Sequence, residues 1–345
     1  MGKRPTILDV ARHAGVSKST VSLVLQNSPL VKDSTRDLVQ RSMTAINYVY
    51  NRSAAGLRGA ATGLIGLVIN DLRNPFFTEF AASAQMAFAR RGYATVIANT
   101  DEDPNVQSQV VGSMIEHGVS ALLISPAYGD GGDLLERLTR ADLPTLQVLR
   151  QIDPCMSTLP FASLDYARGS ELATKHLIGL GAQKIAFLGG IEGRPITQER
   201  MAGYLKIVEQ ERLKPLHIPG RPSRALGRSI ARRITHEHPD VDAAICFSDL
   251  VAIGALSGFA ENGVRVGEEF RLVGFDDIEE CSLVYPQLSS VRCDLAAFAE
   301  RAATAILAWI DEGKRPPAIE RLPVEMMMRQ SSMGAVDAAA FHAGS

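Results

Sequence analysis

From residue 63 onward, short unbroken runs of apolar residues alternate with longer amphipathic stretches, and this alternation restricts the fold more than any other feature. The first run is Leu64-Ile65-Gly66-Leu67-Val68-Ile69. A strand with one wet face alternates apolar and polar side chains, so a continuous apolar run marks a strand covered on both faces. Parallel strands need crossovers of about a dozen residues, which the amphipathic stretches supply as helices. The pattern predicts strands at 64–69, 94–98, 121–125 and 145–149, with helices at 75–91, 104–116 and 134–140 between them. A second series places helices at 166–180, 196–210, 223–234 and 250–261 and strands at 184–189, 243–247 and 272–275. A helix at 295–310 and a strand at 322–328 close the body. The expected body is α/β, two doubly wound lobes with a cleft between them. At 345 residues and 46% apolar, the chain can build both lobes and one further small unit.

That unit is all-α. Thr6 is a good N-cap, and Asp9 stands where its carboxylate can reach back to the cap amide. The helix they open runs to about His13, and Gly15 supplies the positive φ of a sharp turn. Ser17 then caps a second helix whose apolar stripe is Val21, Val24 and Leu25. A third helix at 32–46, with Leu38, Val39, Met43 and Ile46 at helical spacing, buries the pair. The motif is a helix-turn-helix, whose second helix enters the major groove N-terminus first. Charge agrees with that use. The first sixty residues carry nine basic and three acidic side chains, +6, while the whole chain is −2. A basic footprint of this kind fits the DNA backbone.

The residues themselves resemble the headpiece of the lactose-repressor (LacI/GalR) family. The likeness rests on Asp9-Val10-Ala11, Ala14-Gly15-Val16-Ser17, Thr20-Val21-Ser22, Val24-Leu25 and Asn27, and continues in Val31, Thr35-Arg36, Val39, Tyr48 and Asn51. It implies base reading by Lys18, Ser19 and Leu23, and phosphate contacts by Ser17, Thr20, Ser22 and Asn27; Thr6 belongs to the same DNA-facing set. It also implies that residues 51–61 form a hinge that becomes helical on the operator, with Leu57 wedged into the minor groove and Arg52 and Arg58 on phosphates. The chain departs from the family there, with Tyr50 in place of a proline and Ala55 in place of an arginine. In the body, the segments IGLVINDLRNPFF at 65–77, Glu199-Arg200-Met201-Ala202-Gly203-Tyr204, Ser248-Asp249-Leu250, Val273-Gly274-Phe275-Asp276-Asp277 and Pro286-Gln287-Leu288-Ser289 extend the likeness to about residue 330. The core is then periplasmic-binding-protein-like.

The expected organisation is a head at 1–50, a hinge at 51–61, a core at 62–330 and a flexible tail at 331–345. Lobe 1 takes about 62–164 and 292–321, and lobe 2 about 165–291 and 322–330. Open α/β sheets bind ligands beyond the carboxyl ends of their strands. The candidates there are Asp71, Phe76, Phe77, Ser125, Arg150, Asp165, Arg194, Arg200, Phe247, Ser248 and Asp276. Arginines and carboxylates bind hydroxyls or acids, and aromatics cover an apolar face. The resemblance puts Arg200, Asp276, Ser248 and Asp165 in the effector pocket. Arg221-Pro222, where many relatives carry a stacking aromatic, tilts the pocket toward an acidic or phosphorylated ligand, so the effector class is sugar, sugar acid or sugar phosphate.

The function implied is a sequence-specific DNA-binding regulator, a repressor switched by a small metabolite. Its partners are double-stranded operator DNA, the effector and a second copy, since one head reads half of a two-fold site. No sustained leucine heptads follow residue 330 to add a tetramer-forming coiled coil. A solute-binding protein or a metabolic enzyme on a doubly wound fold would suit the body alone. Against the first, the basic N-terminus leads into a capped helix instead of an apolar signal segment, and no run is long enough for a membrane span, so a cytoplasmic location is expected. Against the second, Gly189-Gly190-Ile191-Glu192-Gly193 fails the dinucleotide pattern, no P-loop or nucleophile–base set is visible, and His236 and His238 flank an exposed turn. Cys155, Cys246, Cys281 and Cys293 lack metal-ligand spacing. No cofactor, metal or catalytic residue is expected.

Overall fold

The computed structural model describes residues 5–25, 28–48, 63–129, 132–152 and 159–334. The chain divides into two compact units, 1–62 and 63–345. Asn27, Arg52, Leu57 and Arg58, the hinge at 51–61 and the tail from 335 lie outside the described residues.

The head is three helices, α1 (Ile7–Ala14), α2 (Lys18–Leu25) and α3 (Asp33–Ala45). Thr6 and Asp9 form the capping box: the Thr6 amide donates to Asp9 Oδ2 at 2.9 Å and the Asp9 amide to Thr6 Oγ1 at 3.4 Å. Gly15 ends α1 in the left-handed region at φ 64. Ser17 Oγ accepts from the Thr20 amide at 3.0 Å and caps α2. Val10, Val21, Val24 and Val39 fill the core. Leu38 differs from expectation: it is 41% exposed, and Ser42 is buried instead. Ser42 lies one turn after Val39 on the inward stripe, whereas Leu38 sits about 100° round the helix.

The core begins with β1 (Leu64–Ile69), α4 (Pro75–Arg90), β2 (Ala94–Asn99), α5 (Pro104–Glu116), β3 (Ala121–Ile124), α6 (Gly132–Arg140), β4 (Thr145–Val148) and β5 (Phe161–Leu164). Lobe 2 continues with α7 (Tyr166–Gly179), β6 (Ile185–Leu188), α8 (Pro195–Gln210), β7 (Leu216–Ile218), α9 (Arg224–Glu237), β8 (Ala243–Cys246), α10 (Asp249–Glu261), β9 (Arg271–Asp276) and β10 (Ser289–Arg292). The chain returns through α11 (Leu295–Glu312) and β11 (Ile319–Leu322) and ends its last crossing in β12 (Glu325–Met327). Among the described residues the strands form two sheets, ordered β11-β5-β4-β3-β1-β2 and β12-β10-β9-β8-β6-β7. The pairings are parallel except for β10 with β12.

Four features depart from the sequence reading. The single strand expected at 322–328 is two short ones, because Pro323 has no amide for a ladder and the chain changes sheets there. Strands β5, β7 and β10, which carry Ser163, His217 and the Ser289–Ser290 pair, are not among the strands expected. Strand β2 is an edge, and Val96 and Ile97 are 42% and 41% exposed instead of covered. The first residues of the tail expected at 331–345 belong to the body instead. Ser331 and Ser332 are fully buried; Ser331 Oγ donates to the Leu272 carbonyl at 2.6 Å, and Ser332 Oγ meets Ser289 Oγ and His176 Nε2, both at 2.7 Å.

His176 makes the lobe sensitive to acid. Burial, helped by the charge of Arg271, lowers its imidazole from 6.5 to about 4. The folded form is neutral, so the unfolded chain takes up a proton first as pH falls. The stability this provides is complete above about 6.5 and is lost on the way down to 4. We expect the melting temperature of the core to fall from pH 7 to pH 5, and His176→Asn to flatten that part of the curve. An equally steep fall in the variant would place the acid sensitivity in another group.

Candidate functional site

The cleft between the lobes encloses about 490 Å³, and its wall is built from residues just beyond the carboxyl ends of the strands. Lobe 1 brings Asp71, Phe76, Phe77 and Arg150 to it. Lobe 2 brings Arg194, Arg200, Phe247, Ser248 and Asp276. Two expected residues are not on the wall. Ser125 is fully buried behind it and donates to Asn70 Oδ1 at 2.9 Å. Asp165 caps α7, accepting from the Arg168 amide at 3.0 Å, and its neighbour Tyr166 lines the cleft instead.

Arg200 is the centre of the lobe 2 wall. It projects from the second turn of α8 and is 4% exposed. Its guanidinium carbon lies 3.9 Å from the Phe275 ring centroid, 4.7 Å from that of Tyr166 and 4.8 Å from that of Phe247. One Nη donates to Asp276 Oδ1 at 3.1 Å and the other to the Phe247 carbonyl. Burial raises the Asp276 carboxyl to about 6, with the Arg200 charge and hydrogen bond acting against that rise. Asp276 also holds φ 117, a conformation unfavourable for any residue but glycine, and Asp277 follows at φ 60. Behind it, Asp249 is fully buried, accepts from Ser290 Oγ at 2.6 Å, and is raised to about 8 by burial and by Asp276.

Lobe 1 presents a connected polar chain. Arg150 Nη1 donates to both oxygens of Glu102, at 2.7 and 2.9 Å, and Asn70 Nδ2 donates to the same carboxylate at 2.8 Å. Ser125 therefore acts at one remove, by holding Asn70. Tyr128 lies between two guanidinium groups, with Arg150 at 4.5 Å and Arg194 at 4.6 Å from its ring centroid. Arg194 belongs to lobe 2, so this stack crosses the cleft. A second crossing contact is the Arg321–Glu199 ion pair at 3.0 Å.

Four polar atoms on the cleft wall are buried without a hydrogen-bond partner among the described residues: Arg200 Nε, Thr197 Oγ1, Ser248 Oγ and the Tyr128 hydroxyl. Buried polar groups are almost always paired, so four that face one cavity, Tyr128 from lobe 1 and the other three from lobe 2, are groups that a polar ligand would satisfy. No group of three or more His, Cys, Asp or Glu among the described residues is placed to hold a metal ion.

On the head, Lys18 and Ser19 are exposed at the start of α2, while Leu23 and Ser22 are half-buried further along it. Ser17 Oγ is 2.8 Å from both Ser19 Oγ and Thr20 Oγ1, so these three hydroxyls form one cluster at the helix start. The first turn of α2 has no acidic residue, which leaves its amide end open to phosphate.

Residues 6–51 match the model of the bacterial regulatory proteins of the lacI family, and residues 174–332 match the periplasmic binding protein-like domain. The maltose regulon regulatory protein MalI of Escherichia coli is 30% identical, over 77% of this chain and 78% of that protein. The chain belongs to the lacI family. The Lac repressor dimer bound to operator and the anti-inducer ONPF superposes with a TM-score of 0.85 at 26% identity, over 96% of this chain and all of that one. The regulator CelR in complex with cellobiose gives 0.73 at 26% identity, over 95% of this chain and all of that one.

Several wall residues of this lacI-family core were absent from the sequence-derived set, notably Glu102, Asp103, Tyr128 and Thr197. Each follows a strand end at a distance: Asp103 is four residues beyond β2 and Tyr128 four beyond β3. The strand-end rule applied over a wider window would have included them.

Proposed function

We propose that the chain is a repressor whose grip on operator DNA is set by a small carbohydrate-like metabolite bound in the cleft of its core. The carrying observation is the set of four unpartnered buried polar atoms lining one cavity, on the same chain as a capped, basic helix-turn-helix head. Lys18, Ser19 and Leu23 read bases, and Thr6, Ser17, Thr20 and Ser22 hold phosphates. Asn27, Arg52, Leu57 and Arg58 complete that surface in this reading. In the cleft, Asp71, Phe76, Phe77, Arg150, Arg194, Arg200, Phe247, Ser248 and Asp276 meet the ligand.

The names of the relatives favour a carbohydrate, since one is a maltose regulon regulator and one is a cellobiose complex. The working form is a homodimer in the cytoplasm, where the operator is. Exposed Val96 and Ile97 on edge strand β2, with Met86 of α4 52% exposed, offer an apolar face for the second copy. The ligand acts by differential affinity for the two lobe arrangements, which the Tyr128–Arg194 and Arg321–Glu199 contacts help to define.

The test is a gel shift on DNA flanking the chain's own gene. We expect sequence-specific binding that weakens steeply with salt, because each phosphate contact releases counterions. Absence of such binding there and in a genome-wide selection would sink the repressor reading.

A further inference from the structure

The two walls of the cleft carry opposite charge, and only one set of charges is answered by the protein. On lobe 1, Asp71 and Asp101 share Arg73, and Glu102 holds Arg150. On lobe 2, Arg200 is matched by Asp276, whereas Arg194 and Arg221 have no carboxylate partner among the described residues. Arg194 is fixed against the Tyr128 ring, and Arg221 lies on the next loop. The two loops are tied together by the Gly220 amide, which donates to the Gly190 carbonyl at 3.0 Å.

Two helices also start at this lip. Arg194 is the N-cap of the 16-residue α8 and its side chain makes no capping bond; Arg221 and Pro222 directly precede Ser223, the N-cap of the 14-residue α9. Neither helix has an acidic residue in its first turn. The amide end of such a helix favours an anion. An independent sign of a ligand sits in that first turn: Thr197 is 3% exposed, lines the cleft, and its Oγ1 has no partner.

We propose that the effector is a polyhydroxylated anion, a sugar acid or sugar phosphate. Its anionic group rests on Arg194, Arg221, Thr197 Oγ1 and the start of α8, and its hydroxyls face the lobe 1 carboxylates. This rests on the cleft being the effector site. A carboxylate or phosphate supplies the counter-charge that the arginines lack, through charge-assisted hydrogen bonds to a planar fork of donors. Hydroxyls donate to Asp71, Asp101 and Asp103, which a second anionic group would repel. The ligand therefore has one charged end and one neutral, hydroxylated end.

The experiment is calorimetry on the full chain with matched probes: glucose, glucuronate and glucose 6-phosphate; galactose, galacturonate and galactose 6-phosphate; and inorganic phosphate. An acid or a phosphate should bind at least tenfold more tightly than its neutral parent, and the arm that binds tells the two anions apart. Arg194→Ala with Arg221→Ala should remove at least tenfold of that affinity, Thr197→Val several-fold, and Arg194→Lys should retain part of it. Thermal melting of each ligand-free variant reports on folding. Equal binding of neutral parent and anion, or an anion affinity unchanged in the double variant, overturns the proposal and leaves the effector reading standing. Inorganic phosphate binding as tightly as the sugar phosphate overturns the two-walled arrangement. If no probe in any arm binds, the effector reading and the proposal fall together.

Discussion

Arg200→Met is expected to lower the stability of the core by about 3–5 kcal/mol at pH 8, the usual cost of removing one member of a buried ion pair, and to abolish ligand binding. Methionine keeps the length and packs among Tyr166, Phe247 and Phe275, so apolar contact is largely retained. What is lost is the cation facing Asp276, a carboxylate that is itself almost fully buried. With Arg200 present, burial already raises Asp276 to about 6. Without it, nothing nearby pulls the carboxyl down and the value rises further. A folded-state value above the unfolded one means that the native state binds the proton more tightly, so the deficit grows as pH rises through the folded value and shrinks toward the unfolded one near 3.9. Urea unfolding at pH 5 and pH 8 should therefore show a larger loss at pH 8. Adding Asp276→Asn to the variant should recover much of it, giving a strongly non-additive cycle. A deficit equal at both pH values would assign the loss to packing.

How far the sequence reaches depends on whether a feature is local. Thr6, Asp9, Gly15 and Ser17 each act within four residues of themselves, so the cap, the box and the turn were legible before any tertiary contact was known. Burial was legible where the apolar run is long, as in β1, and misleading at β2, where the position at the end of the sheet decides exposure and the run itself is indifferent to it. Leu38 and Ser42 show the same limit on a helix: hydrophobicity favours the leucine, while the stripe through Val39 favours the serine. At the site, nine of the eleven residues given by the strand-end rule line the cleft. The rule could not tell a side chain facing the cleft from one facing under it, which separates Arg150 from Ser125. Nor could it tell a wall residue from a helix cap, which separates Tyr166 from Asp165. The pairing of charges across 48 residues in Arg150–Glu102 and 76 in Arg200–Asp276 has no local signature at all, yet it decides which arginines remain for a ligand.

Leu23→Arg is expected to change which operators the head selects, more than Lys18→Ala changes them. Leu23 stands on α2 away from the buried Val21 and Val24, half-buried in the isolated head, and its side chain offers DNA no hydrogen bond. Its one base-selective contact in the major groove is with an apolar group such as the thymine methyl. Arginine at the same place presents a fork that fits the O6 and N7 of guanine, a contact worth about 1–3 kcal/mol of discrimination, or roughly 5- to 150-fold between bases. The site profile should therefore gain guanine at one position in each half-site. Lys18, the other base-reading candidate at the exposed start of the helix, is only truncated in Lys18→Ala: one contact and one charge are lost and no new donor fork is presented, so affinity falls while the preferred bases shift less. Selection from a randomised operator library, run for wild type and both variants at two salt concentrations, separates these effects. A Leu23→Arg profile identical to wild type, with affinity raised uniformly and a salt slope steeper by about one phosphate contact, would mean that the new arginine binds the backbone and that position 23 does not read bases.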